Sequence, residues 1–399
     1  MVSAGEESFV PAAVSFELDD ELVLFAEHSG ELFVLNSTAA LIWEGLSQGL
    51  SRGEIADALA ASAQRAREDL LRDIDALAAQ WGALGLTGSG RPATPPASRP
   101  RGPFPWWKEE ASVTAANAQP VVAASYRIVD FSFCLRTPDE LAARRVHDAF
   151  EHLRVPGGAG SRPTLELFFE EGRWRLEYNG RPIDQCPDSE GLVPMVHGNV
   201  MMAACGRSAS MVALHAAALG VGGQCVLLAG VPGSGKSTLT AALLARGFGY
   251  VADDTVLLTA PPVRVRGVPM RVGLKEGSWS VLDELWPQLS ELPVHCRADG
   301  KRIRYFLPSP PVSAGGAGDA LPAAALVFPR YRAGATTTMK RVRRAQALRK
   351  LAEAGYDVGG VLDRNVVRAL VEWISGLDCY ELVHGDLDEA VAQLAAIVR

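Results

Sequence analysis

Residues 225–247 read CVLLAGVPGSGKSTLTAALLARG, an apolar run, a glycine-rich loop and an amphipathic helix in immediate succession. Gly230, Gly235, Lys236 and Ser237 fit the spacing G-x-x-x-x-G-K-[ST] without a gap, and both flanks are of the kind that pattern needs. Such a loop turns its backbone N–H groups onto phosphate oxygens, and the helix that follows adds the positive end of its dipole. Gly230, Val231, Pro232, Gly233, Ser234, Gly235, Lys236, Ser237 and Thr238 are therefore expected to hold the phosphates of ATP. Lys236 would reach the β- and γ-phosphates and the Ser237 hydroxyl would ligate Mg²⁺.

Outward from that loop, the next chemistry is GYVADDTVLL, which sets Asp253 and Asp254 at the end of an apolar strand. A charged pair is costly to bury unless a cation or a proton transfer uses it. One carboxylate would complete a Mg²⁺ shell and the other would accept a proton from an incoming hydroxyl. The alternative is a solvated Asp-Asp turn at a strand end. Upstream, His215 lies in MVALHAAALGVGGQCVLL, which reads as a hairpin turning at GVGG. With Gly220 opposite Gly223, His215 falls opposite Leu228 and near the acidic pair; the alternative is a satisfied core histidine. Lys275 in GLKEGSW, and Lys301, Arg302 and Arg304 in DGKRIRYF, either stabilise transferring phosphate, bind an acidic peptide or are surface charge. MKRVRRAQALRKL is a basic helix, either exposed or docked on an acidic partner, and SAGGAGDA (313–320) reads as a mobile, lid-like loop.

The chain has 399 residues, enough for two or three domains, and carries 39 Lys and Arg against 46 Asp and Glu, a net charge of -7. That balance opposes a general nucleic-acid partner, which needs a basic footprint. No uncharged run reaches the roughly 18 residues of a membrane span, and the start lacks the features of a secretory signal, so no membrane association is expected and the expected location is the cytoplasm. The six cysteines are widely spaced, without a C-x-x-C pair, and read as buried free thiols.

Four segments follow from composition: a tail (1–13), a compact module (14–87), a linker rich in Pro, Gly and Ser (88–120) and a large remainder (121–399). The module opens with three strand-like runs, VSFELD, ELVLFAEH and GELFVLN. It continues with a helix capped by Asn36 or Ser37, with Ala40, Leu41, Trp43 and Leu46 as its stripe. A second helix opens on the Ser51/Glu54 capping box, and a third carries Leu70, Ile74, Leu77 and Trp81 on one stripe. Trp106 and Trp107 are unusual in a linker and either dock on a neighbouring domain or form an exposed aromatic pair awaiting a partner. The fold class expected is α/β and multi-domain.

The run GELFVLNSTAALIW, with S-x-x-E-I-A-x-x-L and D-I-D-x-L after it, resembles the PqqD-like peptide-recognition domain, over about 75 residues. That resemblance implies a winged-helix-like α+β module that binds the leader of a ribosomally made precursor peptide as an added strand. Glu31, Leu32, Phe33, Val34 and Leu35 would form the edge, and Leu70, Leu71 and Ile74 the helical wall. A structural or DNA-binding winged-helix module is the alternative. The segment from LHAAALGVGG to VADDTVLL resembles the catalytic core of the HPr kinase/phosphorylase superfamily, and the likeness runs more weakly through most of 121–399. It implies a P-loop kinase domain in which Asp253 acts as base toward a serine hydroxyl, Asp254 helps hold the metal and His215 supports the base. Thr238 departs from the acidic residue common there, which alters the expected second-metal arrangement.

Together the two resemblances imply an ATP- and Mg²⁺-dependent kinase acting on a Ser or Thr of a leader-bearing precursor peptide. Partner peptide-modifying enzymes and a homo-oligomer are compatible with it. An ATP-regulated peptide-delivery protein and a small-molecule phosphotransferase are the alternatives.

Overall fold

The computed structural model describes residues 9–63, 65–88, 106, 122–156, 163–308, 320–354 and 362–398. It is a mixed α/β chain with several separate sheets, and its contacts divide it into two units. The first holds residues 1–102 together with 342–352 and 361–376; the second holds most of the rest.

In the first unit β1 (Val14–Leu18), β2 (Glu21–Ala26) and β3 (Glu31–Leu35) form an antiparallel meander in that order. The β2–β3 turn is closed by Gly30, whose φ of 70° a side chain rarely tolerates. Three helices follow: α1 (Ser37–Ser47), α2 (Arg52–Ala63) and α3 (Arg67–Ala83). Asn36 caps α1 by accepting from the Ala39 N–H at 2.9 Å. Before α2 the capping box is reciprocal: the Ser51 N–H donates to the Glu54 carboxylate at 2.8 Å, and the Glu54 N–H donates to Ser51 Oγ at 3.3 Å. Trp43 and Trp81 meet edge to face at 5.2 Å over a core that includes Leu24, Ile42 and Ile74. The stripe of α1 differs from the expected one at Leu41, which is exposed, while Ala39 and Ile42 turn inward in its place.

The second unit begins with β4 (Val122–Ile128), β5 (Phe131–Thr137), α4 (Glu140–Phe150), β6 (Thr164–Glu170), β7 (Arg173–Tyr178) and β8 (Arg181–Cys186). These strands form one sheet in sequence order, and α5 (Leu192–Arg207) packs with α4. Trp106 is buried in this core, 4.5 Å from the Tyr178 ring, with its Nε1–H donating to Asn199 Oδ1 at 3.3 Å. Docking of that tryptophan is thus borne out, whereas Trp107 lies outside the described residues.

Next come β9 (Val212–Leu214), β10 (Ala216–Val221), β11 (Gln224–Ala229), α6 (Lys236–Ala245), β12 (Gly249–Ala252), β13 (Val256–Leu258) and β14 (Val265–Gly267). Then follow β15 (Val272–Lys275), α7 (Trp279–Leu282), β16 (His295–Cys296), β17 (Arg302–Phe306), β18 (Ala323–Tyr331) and β19 (Thr338–Arg341). The chain next forms α8 (Arg344–Ala354) and α9 (Arg364–Ser375), and ends with β20 (Asp378–His384) and α10 (Leu387–Ile397). The central sheet has the order β12-β10-β11-β18-β20-β19, with β11, β18 and β20 mutually parallel. Their carboxyl ends therefore open on one edge, where such sheets bind ligands.

The hairpin of β10 and β11 pairs Val221 with Gln224 and Ala216 with Ala229, so its turn is Gly222-Gly223. Both glycines have positive φ, 56° and 79°, as a two-residue turn of this type demands, and Val221 would resist that conformation. The register expected from the sequence is corrected accordingly: continued by one residue, it sets His215 level with Gly230 instead of Leu228.

Helices α8 and α9 fall in the first unit. α9 packs against β1, Arg344 pairs with Asp19 at 2.8 Å and Arg364 with Glu27 at 3.2 Å. Of the basic run expected as one helix, residues 339–341 instead belong to β19, while Arg343 and Arg344 meet Glu21 (3.6 Å) and Asp19 within the first unit. The Gly-rich 313–320 segment lies outside the described residues apart from Ala320.

Replacing Trp106 by Ala should destabilise the second unit by roughly 3–5 kcal/mol, the usual cost of emptying a buried aromatic site. Chemical denaturation followed by far-UV circular dichroism should show an earlier transition for that unit and an unmoved one for the first.

Candidate functional site

The glycine-rich loop runs from the end of β11 to the start of α6, a helix buried on most of its surface. Gly235 caps α6 in the left-handed region (φ 93°), and a Cβ there would stand 3.2 Å from Tyr331 Cβ, so the position is closed to other residues. Ser234 joins the loop to β18 by accepting from the Tyr331 N–H at 3.1 Å. Lys236 is buried and curls back, its Nζ donating to the carbonyls of Gly230 (2.5 Å) and Val231 (3.4 Å). Burial pushes its ammonium down to about 8, against the attraction of Asp254 and Asp253, so it stays largely charged at neutral pH. Thr238 exchanges a hydroxyl hydrogen bond with Ser278 at 2.8 Å, tying the first turn of α6 to the segment after β15.

β12 delivers the two aspartates, and the bend after Ala252 turns them to different jobs. β14 crosses it so closely that a Cβ at Gly267 would lie 2.1 Å from the Val251 carbonyl oxygen, so only glycine lets the strands meet there. Asp253 is 4% exposed. Its Oδ2 accepts from the Gly273 N–H at 3.3 Å, the Ser237 hydroxyl hydrogen-bonds its carboxylate, and Oδ1 has no partner. Burial, reinforced by the charge of Asp254, raises its carboxyl to about 6. Asp254 instead keeps 40% of its side chain exposed, with Oδ1 3.2 Å from His215 Nδ1. The same ring nitrogen lies 3.0 Å from the Asp254 carbonyl. Burial works against ionisation of Asp254, yet the hydrogen bond and charge of His215, with His197 and Lys236 behind it, hold its carboxyl below the ordinary range.

Loop, aspartates and His215 all line one cleft of about 1160 Å³, together with Lys275 at the end of β15. The structure thus gathers Lys236, Ser237, Thr238, Asp253, Asp254, His215 and Lys275 in one place. It does not bring the other cations there: Arg302 pairs with Glu276 at 2.7 Å, Arg304 lies 4.2 Å over the Trp279 ring, and Lys301 pairs with Asp299 at 3.0 Å. Sequence reasoning missed His197 and Arg271, which also line the cleft. His197 stacks on Tyr305 at 4.7 Å with Nε2 unpartnered, and burial pushes it down to about 4. Neither sits in a motif; the only signal was an isolated polar residue in an apolar helix or loop.

The residues present fit a Mg²⁺-bound nucleotide. An unpartnered, deeply buried carboxylate oxygen beside the Ser237 hydroxyl is a donor set for a hard cation.

In the first unit, β3 is an edge strand with no sheet partner on its outer side among the described residues. Glu31 is exposed, Leu32, Phe33 and Val34 are half-buried, and Leu35 is buried. Leu70 and Ile74 are consumed by the module's own core, so of the three wall residues expected on α3 only Leu71 remains accessible. Phe33 of β3 and Leu71, Leu77 and Ala78 of α3 pack, partly covered, against that core.

The family model described as coenzyme PQQ synthesis protein D (PqqD) matches residues 21–86, giving the chain a PqqD domain at its N-terminal end. No curated protein matches the chain. Among solved structures, "TbiB1 in Complex with the TbiA(beta) Leader Peptide" is similar at 29% identity over 21% of this chain and 95% of that one, with a TM-score of 0.20. No described helix is long and apolar enough to cross a membrane.

Asp253 gives a test by stability. A carboxyl whose folded value is raised binds its proton more tightly folded than unfolded, so stability is present at low pH and is lost as pH rises from about 3.8 to about 6. Asp253→Asn should therefore stabilise the protein at pH 7 by about 3 kcal/mol, a gain that disappears below about pH 4. Thermal melts of both forms at the two pH values measure it.

Proposed function

We propose that the protein is an ATP-dependent kinase that phosphorylates a Ser or Thr hydroxyl of a ribosomally synthesised precursor peptide held through its leader by the PqqD domain. The observation that carries the reading is the Asp254–His215 pair, a solvent-facing carboxylate oriented by an imidazole, in the same cleft as the phosphate loop. On this reading the second unit is a P-loop kinase domain of the HPr-kinase type and the first unit carries a winged-helix-like module.

Bound ATP with Mg²⁺ supplies the transferable phosphoryl group and part of the neutralising charge. The loop from Gly230 to Thr238 would hold the phosphates, with Ser237 and the free oxygen of Asp253 as cation ligands. Lys236, released from the Gly230 carbonyl, and Lys275 would stabilise charge on the transferring group. Asp254 would take the proton of the incoming hydroxyl, and His215 would hold that carboxylate in position. This division reverses the two aspartate roles that the family resemblance implies. It follows from exposure, since Asp253 is sealed beside Ser237 while Asp254 faces the cleft.

Recruitment rests on the PqqD match and on the unpaired edge of β3. An edge strand offers backbone hydrogen bonds to an extended peptide, and the half-buried Phe33 and Leu71 offer apolar contacts. Holding the leader raises the local concentration of the remainder of the peptide, so weak contacts around the acceptor suffice.

Incubation of a cognate precursor peptide with the protein, ATP and Mg²⁺ should add the mass of phosphate to a Ser or Thr. Asp254→Asn should slow this transfer about a hundredfold to ten-thousandfold with nucleotide binding retained. Isolated leader peptide added in trans should inhibit it. Transfer to free amino acids or sugars that is insensitive to leader would point to the small-molecule alternative.

A further inference from the structure

The central sheet divides the surroundings of the phosphate loop. β12, which delivers the aspartates, lies two strands to one side of β11, and β18 and β20 lie on the other. At the carboxyl ends of these last two strands stand Tyr331 and His384, with Gly385 and Leu387 just beyond, and all four line the cleft. Their rings lie 5.7 Å apart at 60°. A Cβ on Gly235 would come 3.2 Å from Tyr331 Cβ and 3.6 Å from His384 Nε2, so both residues border the last glycine of the loop.

Neither residue has a use in the transfer chemistry. Tyr331 is a large aromatic left 53% exposed, although its backbone is fixed to Ser234. His384 is 3% exposed and neither ring nitrogen makes a hydrogen bond of ordinary geometry. Burial keeps its imidazole below the usual range, with the nearby Asp386 backbone opposing, so at neutral pH it offers one N–H donor and one acceptor. A buried polar group of this kind is costly unless a ligand completes it. Gly385 keeps the floor of this corner in place: a Cβ there would stand 2.5 Å from the Ala335 carbonyl oxygen.

On the reading proposed above, a triphosphate with its terminal group at Asp254 would have its base end available to the other flank of the loop. We propose that Tyr331 and His384 form the nucleobase site of the donor nucleotide, with the Tyr331 ring stacked on a purine and His384 hydrogen-bonded to the edge of that base. This rests on the nucleotide reading of the loop and adds to it the part of the ligand that the loop does not recognise. Stacking favours purines by area, and a single imidazole reads an edge only partly, so the site should prefer ATP and GTP to CTP and UTP.

The test is titration calorimetry of the full chain in Mg²⁺ with ATP, GTP, CTP and inorganic tripolyphosphate. Wild-type protein should bind ATP more tightly than tripolyphosphate. Tyr331→Ala should weaken ATP about tenfold and leave tripolyphosphate unchanged, and Tyr331→Phe should restore ATP binding. His384→Gln should change the ratio of ATP to GTP affinity. Equal loss of ATP and tripolyphosphate in Tyr331→Ala, or no loss of either, overturns the base site. Equal wild-type affinity for ATP and tripolyphosphate overturns it also, with the phosphate loop intact. If the wild type binds none of them, the nucleotide reading itself falls and the base site with it.

Discussion

A carboxylate sealed at the end of an apolar strand is the constraint around which the second unit is arranged. Asp253 is nearly excluded from water and has one oxygen without a partner, a combination whose cost is recovered only if something charged arrives. The sheet, the close crossing of β14 over β12 and the N–H of Gly273 hold it beside Ser237. Lys236 stands close enough to feel it, and each of the two charged groups is shifted toward its neutral form by the burial they share. The site accordingly holds both charges at a cost, which the proposed ligand of phosphate and cation would relieve.

What was legible in the sequence was what local chemistry dictates. The loop of Gly230 to Thr238 must contain glycines in left-handed conformations, and Gly233 and Gly235 adopt them. Caps at Asn36 and Ser51 were equally readable, because a cap involves residues three positions apart. Leu41 of α1 departs from its periodicity, since a helix with small residues all around it presents more than one face that can pack. In the β10–β11 hairpin, the string GVGG permits two turns, and only the requirement for positive φ at both central residues selects the right one.

The parts that were not legible are those made by distant segments. His197 and Arg271 reach the cleft from a helix and a loop that carry no motif. The Leu70 and Ile74 stripe announced an apolar face of α3 correctly, but a stripe does not say whether its neighbour is the protein's own core or a guest. In the sequence Tyr331 and His384 are only two aromatic residues, more than fifty positions apart. The order of strands in the sheet is what places them on the same flank of the loop.

The excursion of the chain between β19 and β20 bears on how such a protein can be altered. Residues 342–352 and 361–376 leave the second unit, join the first, and the chain then returns to finish the central sheet with β20. The first unit is therefore discontinuous in the chain, and no single cut separates the two units. Exchange of the N-terminal 102 residues for those of a relative would leave Arg344 and Arg364 facing foreign acidic positions in place of Asp19 and Glu27. Recombination at one junction would thus assemble a mismatched first unit. A replacement of the first unit in this architecture has to be made at two loci at once.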